Sequence, residues 1–142
     1  MLKEFCEFIE DKTSFVVGTT LQVGHRPQSA PDRCNAVLET VGGETFPEDP
    51  SRVDIVFQIL SRSERGGTAS IWQARADAWE IFKALTGDTA GVIRSAQWTL
   101  PVVDDSYVAM VIEAISAPAY IGQDEQGRFE YSTNYLVKIR DA

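Results

Sequence analysis

The chain contains a single histidine, His25, and histidine is the side chain whose ordinary pKa suits acid–base catalysis near neutral pH. It is followed by Arg26-Pro27 in a segment, 25–33, that has the composition of a loop. A general base also needs an orienting partner, and the sequence identifies none. We therefore interpret His25 as an ordinary loop residue, and we keep a small enzyme or ligand-binding domain using His25 and Asp104 as an alternative hypothesis.

Other patterns with possible chemistry are also weak. No serine lies in a GxSxG motif, and Gly66-Gly67-Thr68 lacks the GxxxxGK[ST] pattern of a phosphate-binding loop. That segment could present amide groups to an anion, but the simpler prediction is the start of a helix. Asp104-Asp105 and Asp124-Glu125 lack the alternating ligand ladder of a calcium loop. We interpret both acidic pairs as solvated turns.

The two cysteines, Cys6 and Cys34, show neither CxxC spacing nor the dense pattern of a disulfide scaffold. Cys6 lies on an apolar helical stripe, where a free cysteine behaves as a small buried hydrophobe. With one histidine in the chain, a zinc site would need carboxylates from distant segments. We therefore predict reduced structural thiols, no catalytic residue, no metal and no cofactor.

The composition predicts one folded domain over residues 1–142. Of these residues 44% are apolar and 24% are charged, as in ordinary globular domains. No apolar run approaches the roughly 20 residues that span a bilayer, and no signal peptide is recognisable, so we expect no membrane partner. The net charge of −8 argues against specific nucleic-acid binding, which depends on clustered Lys and Arg.

These residues must be positioned by the helices and strands that the hydrophobic periodicity predicts. Helical spacing of Leu2, Phe5, Cys6 and Ile9 predicts a short N-terminal helix. Strand-like segments follow at Phe15–Val23 and Ala36–Val41. Gly42–Arg52, rich in Gly and Pro, favours a long mobile loop. Val53–Arg62 has apolar residues on both faces, which predicts a central strand covered on both sides.

A central helix follows Gly66-Gly67. Ser70 with Gln73 has the spacing of a capping box, Thr68 is the alternative cap, and Gly87 suits the position after the last turn. Its apolar stripe consists of Ile71, Ala74, Ala78, Ile81, Phe82 and Leu85. The opposing polar side consists of Gln73, Asp77, Glu80 and Lys83. Three strand-like runs complete the chain: Val92–Leu100, Tyr107–Ser116 and Arg128–Arg140. This order predicts an α+β fold, with a mixed, mainly antiparallel sheet, a main central helix and a short N-terminal helix.

Two tryptophans on the central helix are candidates for a protein contact. Trp72 and Trp79 flank the apolar stripe, and both do not easily fit into one core. Large aromatic residues at the margin of a core are favoured at protein interfaces. Burial in the core is the equally weighted alternative for either tryptophan.

The C-terminal segment carries the most specific pattern. Residues 117–128 contain Pro-x-x-Ile-Gly-x-Asp-x-x-Gly-Arg, from Pro118 to Arg128, followed by Tyr131, Asn134 and an alternating strand. This segment resembles the minor capsid and tail-terminator proteins of long-tailed bacteriophages. The order of the preceding elements is also similar, including Pro31-Asp32-Arg33-Cys34 before a strand.

The motif has a physical interpretation of its own. We expect a sharp turn at Gly122, a second turn at Gly127, and a bidentate pair between Asp124 and Arg128 that locks the connection. A locked hairpin of this kind needs no ligand. Together with the two tryptophans, this motif supplies the candidate interface or structural residues of the chain: Trp72, Trp79, Gly122, Asp124, Gly127 and Arg128.

The resemblance implies a structural virion protein rather than an enzyme. Such proteins form a homo-oligomeric ring, commonly a hexamer, at the head-proximal end of the tail tube. The ring ends tube growth, and its partners are the tail tube protein and the neck or head-completion proteins. DNA passes through the lumen without specific binding. The expected location is the head–tail junction of the virion, after assembly in the host cytoplasm. The alternatives are a neck or head-completion protein of the same particle, or a small ligand-binding domain.

Overall fold

The computed structural model describes residues 2–86, 98–99 and 107–141, and the first helix, α1, spans Leu2–Lys12. The predicted apolar stripe of α1 is confirmed, because Phe5, Cys6 and Ile9 are fully buried. The ring of Phe5 stacks on the ring of Phe57 in the sheet, with the centroids 4.5 Å apart. This contact joins the start of the chain to the middle of the sheet.

The central helix, α2, spans Ile71–Thr86 after a short 3-10 turn at Thr68–Ser70. The predicted stripe is confirmed at its buried residues, which are Ala74, Ala78, Ile81, Phe82 and Leu85. Ser70 precedes the helix, as a cap should. Gln73 differs from the capping-box prediction, because its Oε1 accepts a hydrogen bond from the backbone N–H of Glu64, at 3.1 Å. Gly87 lies outside the described residues.

Seven described strands form one sheet. Their bounds are β1 Leu21–Val23, β2 Cys34–Phe46, β3 Asp49–Arg62, β4 Trp98–Thr99, β5 Tyr107–Ala114, β6 Ala119–Gln123 and β7 Phe129–Asp141. The strand order is β1-β2-β3-β7-β5-β4. Strand β6 pairs with the first residues of β7, and β5 pairs with its later residues. The pairings are antiparallel except for that of β1 with β2. The α+β fold class is thus confirmed, and β3 is a central strand as predicted.

The two helices pack on one face of this sheet. Alternate residues of β3 and β7 form the buried core with them, namely Ile55, Phe57, Ile59, Tyr135, Val137 and Ile139. On the opposite face, the loop 24–33 lies against one end of the sheet, where Cys34 and Ala36 are buried. On this face of β3, Asp54 and Arg62 are buried and Val56 and Leu60 are half-buried, so the described residues cover it less completely than the helices cover the other face. Full coverage of β3 on both sides stays a prediction.

The prediction of a mobile loop at Gly42–Arg52 is wrong. Most of this segment extends a long hairpin of β2 and β3, and the turn is confined to residues 47–48. The register of the pairing shifts between Val41 and Glu44, so the Gly-Gly step lies in a bulge of the strand. Glycine is suited to bulges as well as to loops, and composition alone does not distinguish the two.

Two predicted strands are shorter than expected. Of Phe15–Val23, only Leu21–Val23 is a strand, because Gly18 adopts a φ of +91° and the N–H of Leu21 turns back to the carbonyl of Val16. Of Val92–Leu100, the structure describes only Trp98–Thr99, which is β4. The rest of that prediction lies outside the described residues.

An ion pair between a half-exposed arginine and a buried aspartate attaches the end of the loop 24–33 to α2. Asp77, predicted on the polar face of the helix, is only 5% exposed. The guanidinium group of Arg33 donates two hydrogen bonds to it, Nε to Oδ2 at 3.0 Å and one terminal nitrogen to Oδ1 at 2.8 Å. Such bidentate pairing offsets the free-energy cost of removing water from a carboxylate. Helical periodicity cannot reveal this partner, because Arg33 is distant in sequence.

We predict that the two members of this pair respond unequally to substitution. Arg33→Ala leaves a buried carboxylate unpaired and should lower the free energy of unfolding by about 1–3 kcal/mol. Asp77→Asn should cost less, because the half-exposed Arg33 side chain can turn to water. The double variant should recover most of the loss. Urea unfolding of the three variants measures this, and equal costs for both single changes would contradict the prediction.

Candidate functional site

The turn between β6 and β7 is built around the carboxylate of Asp124. Its Oδ1 accepts hydrogen bonds from the backbone N–H groups of Gln126, at 2.9 Å, and Arg128, at 3.0 Å. Its Oδ2 accepts a hydrogen bond from Nε of Arg128, at 2.7 Å. Gly127 has a φ of +77°, a conformation that favours glycine. The predicted contact between Asp124 and Arg128 is therefore present in this turn.

Gly122 does not form the sharp turn that the sequence suggested. It lies within β6, where the pairing with β7 shifts between Tyr120 and Gly122. Ile121 is the extra residue of this bulge, and Gly122 carries a φ of +135°. The chain reverses direction only later, at residues 124–127. A glycine with positive φ serves bulges and turns alike, which explains the wrong prediction.

Arg128 also joins this turn to a distant loop. While its Nε contacts Asp124, a terminal nitrogen of the same guanidinium donates to Oδ1 of Asp32, at 3.0 Å. Asp32 lies 3.2 Å from Nε of Arg65 as well. Arg65 in turn donates to the side chain of Gln126, at 2.7 Å. The guanidinium of Arg128 thus makes one hydrogen bond to each of two carboxylates, so the prediction that it pairs bidentately with Asp124 is wrong.

Two further arginines fix the same loop to the sheet, Arg26 from within the loop and Arg62 from the end of β3. Arg26 forms an ion pair with Glu130 at 2.6 Å and donates to the backbone carbonyl of Leu60. Arg62 donates to the backbone carbonyls of Pro31 and Asp32, at 2.9 and 2.7 Å. Burial, together with the nearby positive charges of Arg26 and Arg128, holds the pKa of Arg62 below its ordinary value.

A cavity of about 370 Å³ lies at this end of the sheet, and four arginines line its walls: Arg26, Arg62, Arg65 and Arg128. Three carboxylates, those of Asp32, Asp124 and Glu130, are engaged by these arginines. We call these seven residues the arginine clamp. Its chemistry is ion pairing, and it holds the loop 24–33 and the β6–β7 turn against the sheet.

Most of the clamp was missed by sequence reasoning. Asp124 and Arg128 were found because they are close in sequence. Arg26, Arg62 and Glu130 come from three separate elements, so no local pattern connects them. The sequence did place Asp32 just before β2 and Arg62 at the end of β3. Because the clamp brings these two places together, their positions were the signal that could have revealed it.

The two candidate tryptophans differ in environment. Trp72 is 64% exposed on the outer face of α2. Trp79 is partly buried against the core, and its ring packs edge-on against Phe82 with the centroids 5.1 Å apart. The guanidinium of Arg75 lies 5.6 Å from the centre of the Trp79 ring. Trp79 therefore contributes to the fold, whereas Trp72 is available to a partner.

The remaining candidates do not assemble into a reactive centre within the described residues. His25 is exposed in the loop 24–33. Cys6 and Cys34 are free and buried, and burial raises the pKa of the Cys6 thiol to about 12. Asp104 and Asp105 lie outside the described residues. Across 2–86, 98–99 and 107–141, no group of three or more His, Cys, Asp or Glu side chains could hold a metal ion.

Comparison with known protein families identifies the family of this chain. A family model described as bacteriophage tail terminator protein matches residues 8–141, which is nearly the whole chain. No curated protein matches the chain. None of the described helices is long and apolar enough to cross a membrane.

We predict that Asp124→Asn destabilises the fold by about 1–2 kcal/mol at neutral pH, since it removes charge-assisted hydrogen bonds. Burial alone would raise the pKa of Asp124, but hydrogen bonds from the backbone and side chain of Arg128 and from the Gln126 backbone lower it below its ordinary value. The ionised carboxylate therefore stabilises the folded state above about pH 3.9, and this contribution is lost as the pH falls through the lowered pKa.

Urea unfolding of the unaltered chain and of Asp124→Asn at several pH values measures this difference. Glu125→Gln is the matched control, because Glu125 is exposed in the same turn, and it should change the free energy of unfolding little. The prediction would be contradicted if Asp124→Asn lowered the free energy of unfolding by the same amount at pH 2 as at neutral pH.

Proposed function

Because this chain belongs to the bacteriophage tail terminator family, and is therefore a structural protein of the virion tail, we propose that it forms a ring at the head-proximal end of the tail tube. The ring ends tube polymerisation and joins the tail to the head. The observation that carries this proposal is the family match over residues 8–141. We propose a homo-oligomer, hexameric in keeping with the family resemblance, with no catalytic role.

The distribution of polar contacts supports a structural role. The carboxylates of the arginine clamp are already paired with arginines of the same chain. A clamp of this kind positions backbone segments, and a protein that works through its surfaces needs such rigid positioning. In the proposed ring, the clamp keeps the β6–β7 turn and the loop 24–33 at a constant distance.

Trp72 is the proposed contact with the tail tube protein. Its large exposed ring on α2 contrasts with the buried side chains on the other side of the helix. Tryptophan is one of the residue types enriched at the few interface positions that contribute most of the binding energy. The opposite surface of the ring would then face the neck or head-completion proteins at the head–tail junction.

The net charge of −8 is consistent with a ring that encloses a DNA channel. A negative surface repels the phosphate backbone, so DNA would pass without being retained. We further propose that the ring assembles in the host cytoplasm before the head joins the tail.

We predict that phage lacking this chain will produce tails of abnormal and uncontrolled length. Electron microscopy of the particles provides the measurement, and complementation with the unaltered gene is the control. Tails of normal length that are detached from heads would contradict termination and would indicate a neck or head-completion protein instead.

We also predict that Trp72→Ala weakens binding to tail tubes by about 30-fold, the loss typical of a contact residue worth about 2 kcal/mol. The free energy of unfolding should change by less than about 0.5 kcal/mol, because Trp72 is exposed. Lys83→Ala, at another exposed position of α2, is the matched control. Co-sedimentation with purified tubes measures binding, and unchanged binding by Trp72→Ala would place the tube contact elsewhere.

A further inference from the structure

The arginine clamp carries more positive than negative charge. Its four guanidinium groups and three carboxylates leave a net charge of +1, although the chain as a whole has a net charge of −8. A local excess of one sign of charge in a recess attracts groups of the opposite sign. The clamp therefore has one positive charge left after its internal ion pairs are counted.

Arg62 is the member of the clamp that has no carboxylate partner. The residue is 8% exposed, and its guanidinium donates to the carbonyls of Pro31 and Asp32 and to the sulfur of Cys34. The clamp carboxylates form their ion pairs with the other three arginines. A buried charge without a partner costs free energy, which an incoming opposite charge offsets. Because Arg62 lines the cavity of about 370 Å³, a negative group inside that cavity would lie beside it.

The cavity opens to the surface beside Arg65. The Arg65 side chain is 60% exposed, and Gln28 and Gln126 on the same walls are also exposed. One recessed excess charge matches a single carboxylate on a protein side chain. It does not match duplex DNA, whose binding requires several clustered Lys and Arg side chains along the phosphate backbone.

An exposed carboxylate lies at the other end of β3. The turn of the β2–β3 hairpin is Pro47-Glu48, and both of these residues are exposed. Glu48 forms no hydrogen bond or ion pair with any other described residue. The ring of Pro47 fixes its own φ angle, so less backbone freedom is lost when the turn is held by a partner. The turn thus presents a carboxylate that is ready to pair.

The turn and the clamp are too far apart to meet within one molecule. β3 begins at Asp49, next to Glu48, and ends at Arg62, and an extended strand of this length spans about 40 Å. A contact between them therefore requires two molecules. Each copy carries one turn and one clamp, so the contact is heterologous, and contacts of this kind build rings when the rotation between copies closes.

We infer that the Glu48 carboxylate of one copy enters the cavity of the arginine clamp in the next copy and pairs there with Arg62 and Arg65. This inference rests on the proposed function and names the contact between the subunits of the ring. It gives the clamp a second role, because the residues that hold the loop 24–33 in place also form the site for the neighbouring subunit.

The test reverses the two charges separately and then together. Glu48→Arg gives the turn the same sign as the clamp, and Arg65→Glu changes the net charge of the clamp from +1 to −1. Arg65 is chosen because Arg62 also holds the backbone of the loop. Each variant alone should need at least about 30-fold more protein than the unaltered chain to form rings, because like charges now meet. The double variant restores opposite charges at every contact, and it should form rings within about threefold of the unaltered concentration.

Sedimentation velocity of the full chain over a concentration series measures assembly. If the unaltered ring forms only on tail tubes, cross-linked products from the tube ends are sized instead. Asp11→Arg on α1, where the side chain is 71% exposed, and Lys83→Glu on the exposed face of α2 are the matched controls and should form rings. If Arg65→Glu loses the native circular dichroism spectrum, Gln28→Glu replaces it, since it adds a carboxylate to the cavity wall without removing an ion pair.

Two results would overturn the inference: rings formed by either single variant as readily as by the unaltered chain, or a folded double variant that assembles no better than the single variants. The proposed function fails separately, if the unaltered chain neither forms rings nor ends tube growth. If the unaltered chain does both and all variants do so equally, only the contact between Glu48 and the clamp is wrong.

Discussion

The guanidinium group of Arg128 connects two parts of the chain that are 96 residues apart. It contacts Asp124 in its own turn and Asp32 in the loop that precedes β2. The Arg128 side chain is largely buried, so its charge must be matched by nearby carboxylates. Because Asp32 is held in this way, the loop 24–33 lies over the end of the sheet, and the β6–β7 turn lies beside it. The position of β6 at the sheet margin depends on this arrangement.

The core imposes a second constraint, since both helices pack on the same face of the sheet. Phe5 of α1 stacks on Phe57, and α2 buries Ile81 and Phe82 in the same cluster. On the opposite face, the arginine clamp holds the loop 24–33 over one end of the sheet. The outer side of β1 is partly occupied by the turn at residues 16–18, because the backbone N–H and C=O of Leu21 bond to Val16 and Gly18, whereas the residues of β6 are mostly exposed.

Local patterns predicted the elements whose burial alternates regularly. The stripes of α1 and α2 and the alternation in β3 and β7 were found because each of these elements buries one side against a single core. β6 was missed as a strand, since four of its five residues are exposed and the fifth is half-buried, so it has no alternation to detect. Gly42–Arg52 was misassigned because glycine and proline occur in bulged hairpins as well as in loops.

The sequence by itself determined the α+β class, the positions of the main elements and the short-range pairing of Asp124 with Arg128. Periodicity and neighbouring residues suffice for these features, because they depend on interactions within a few residues. Only the tertiary structure decided that Arg128 also reaches Asp32, that Arg33 pairs with Asp77, that Trp72 is exposed while Trp79 is not, and that four arginines line one cavity. These depend on the register of strands distant in sequence, which is set by the packing of the whole core rather than by any single segment.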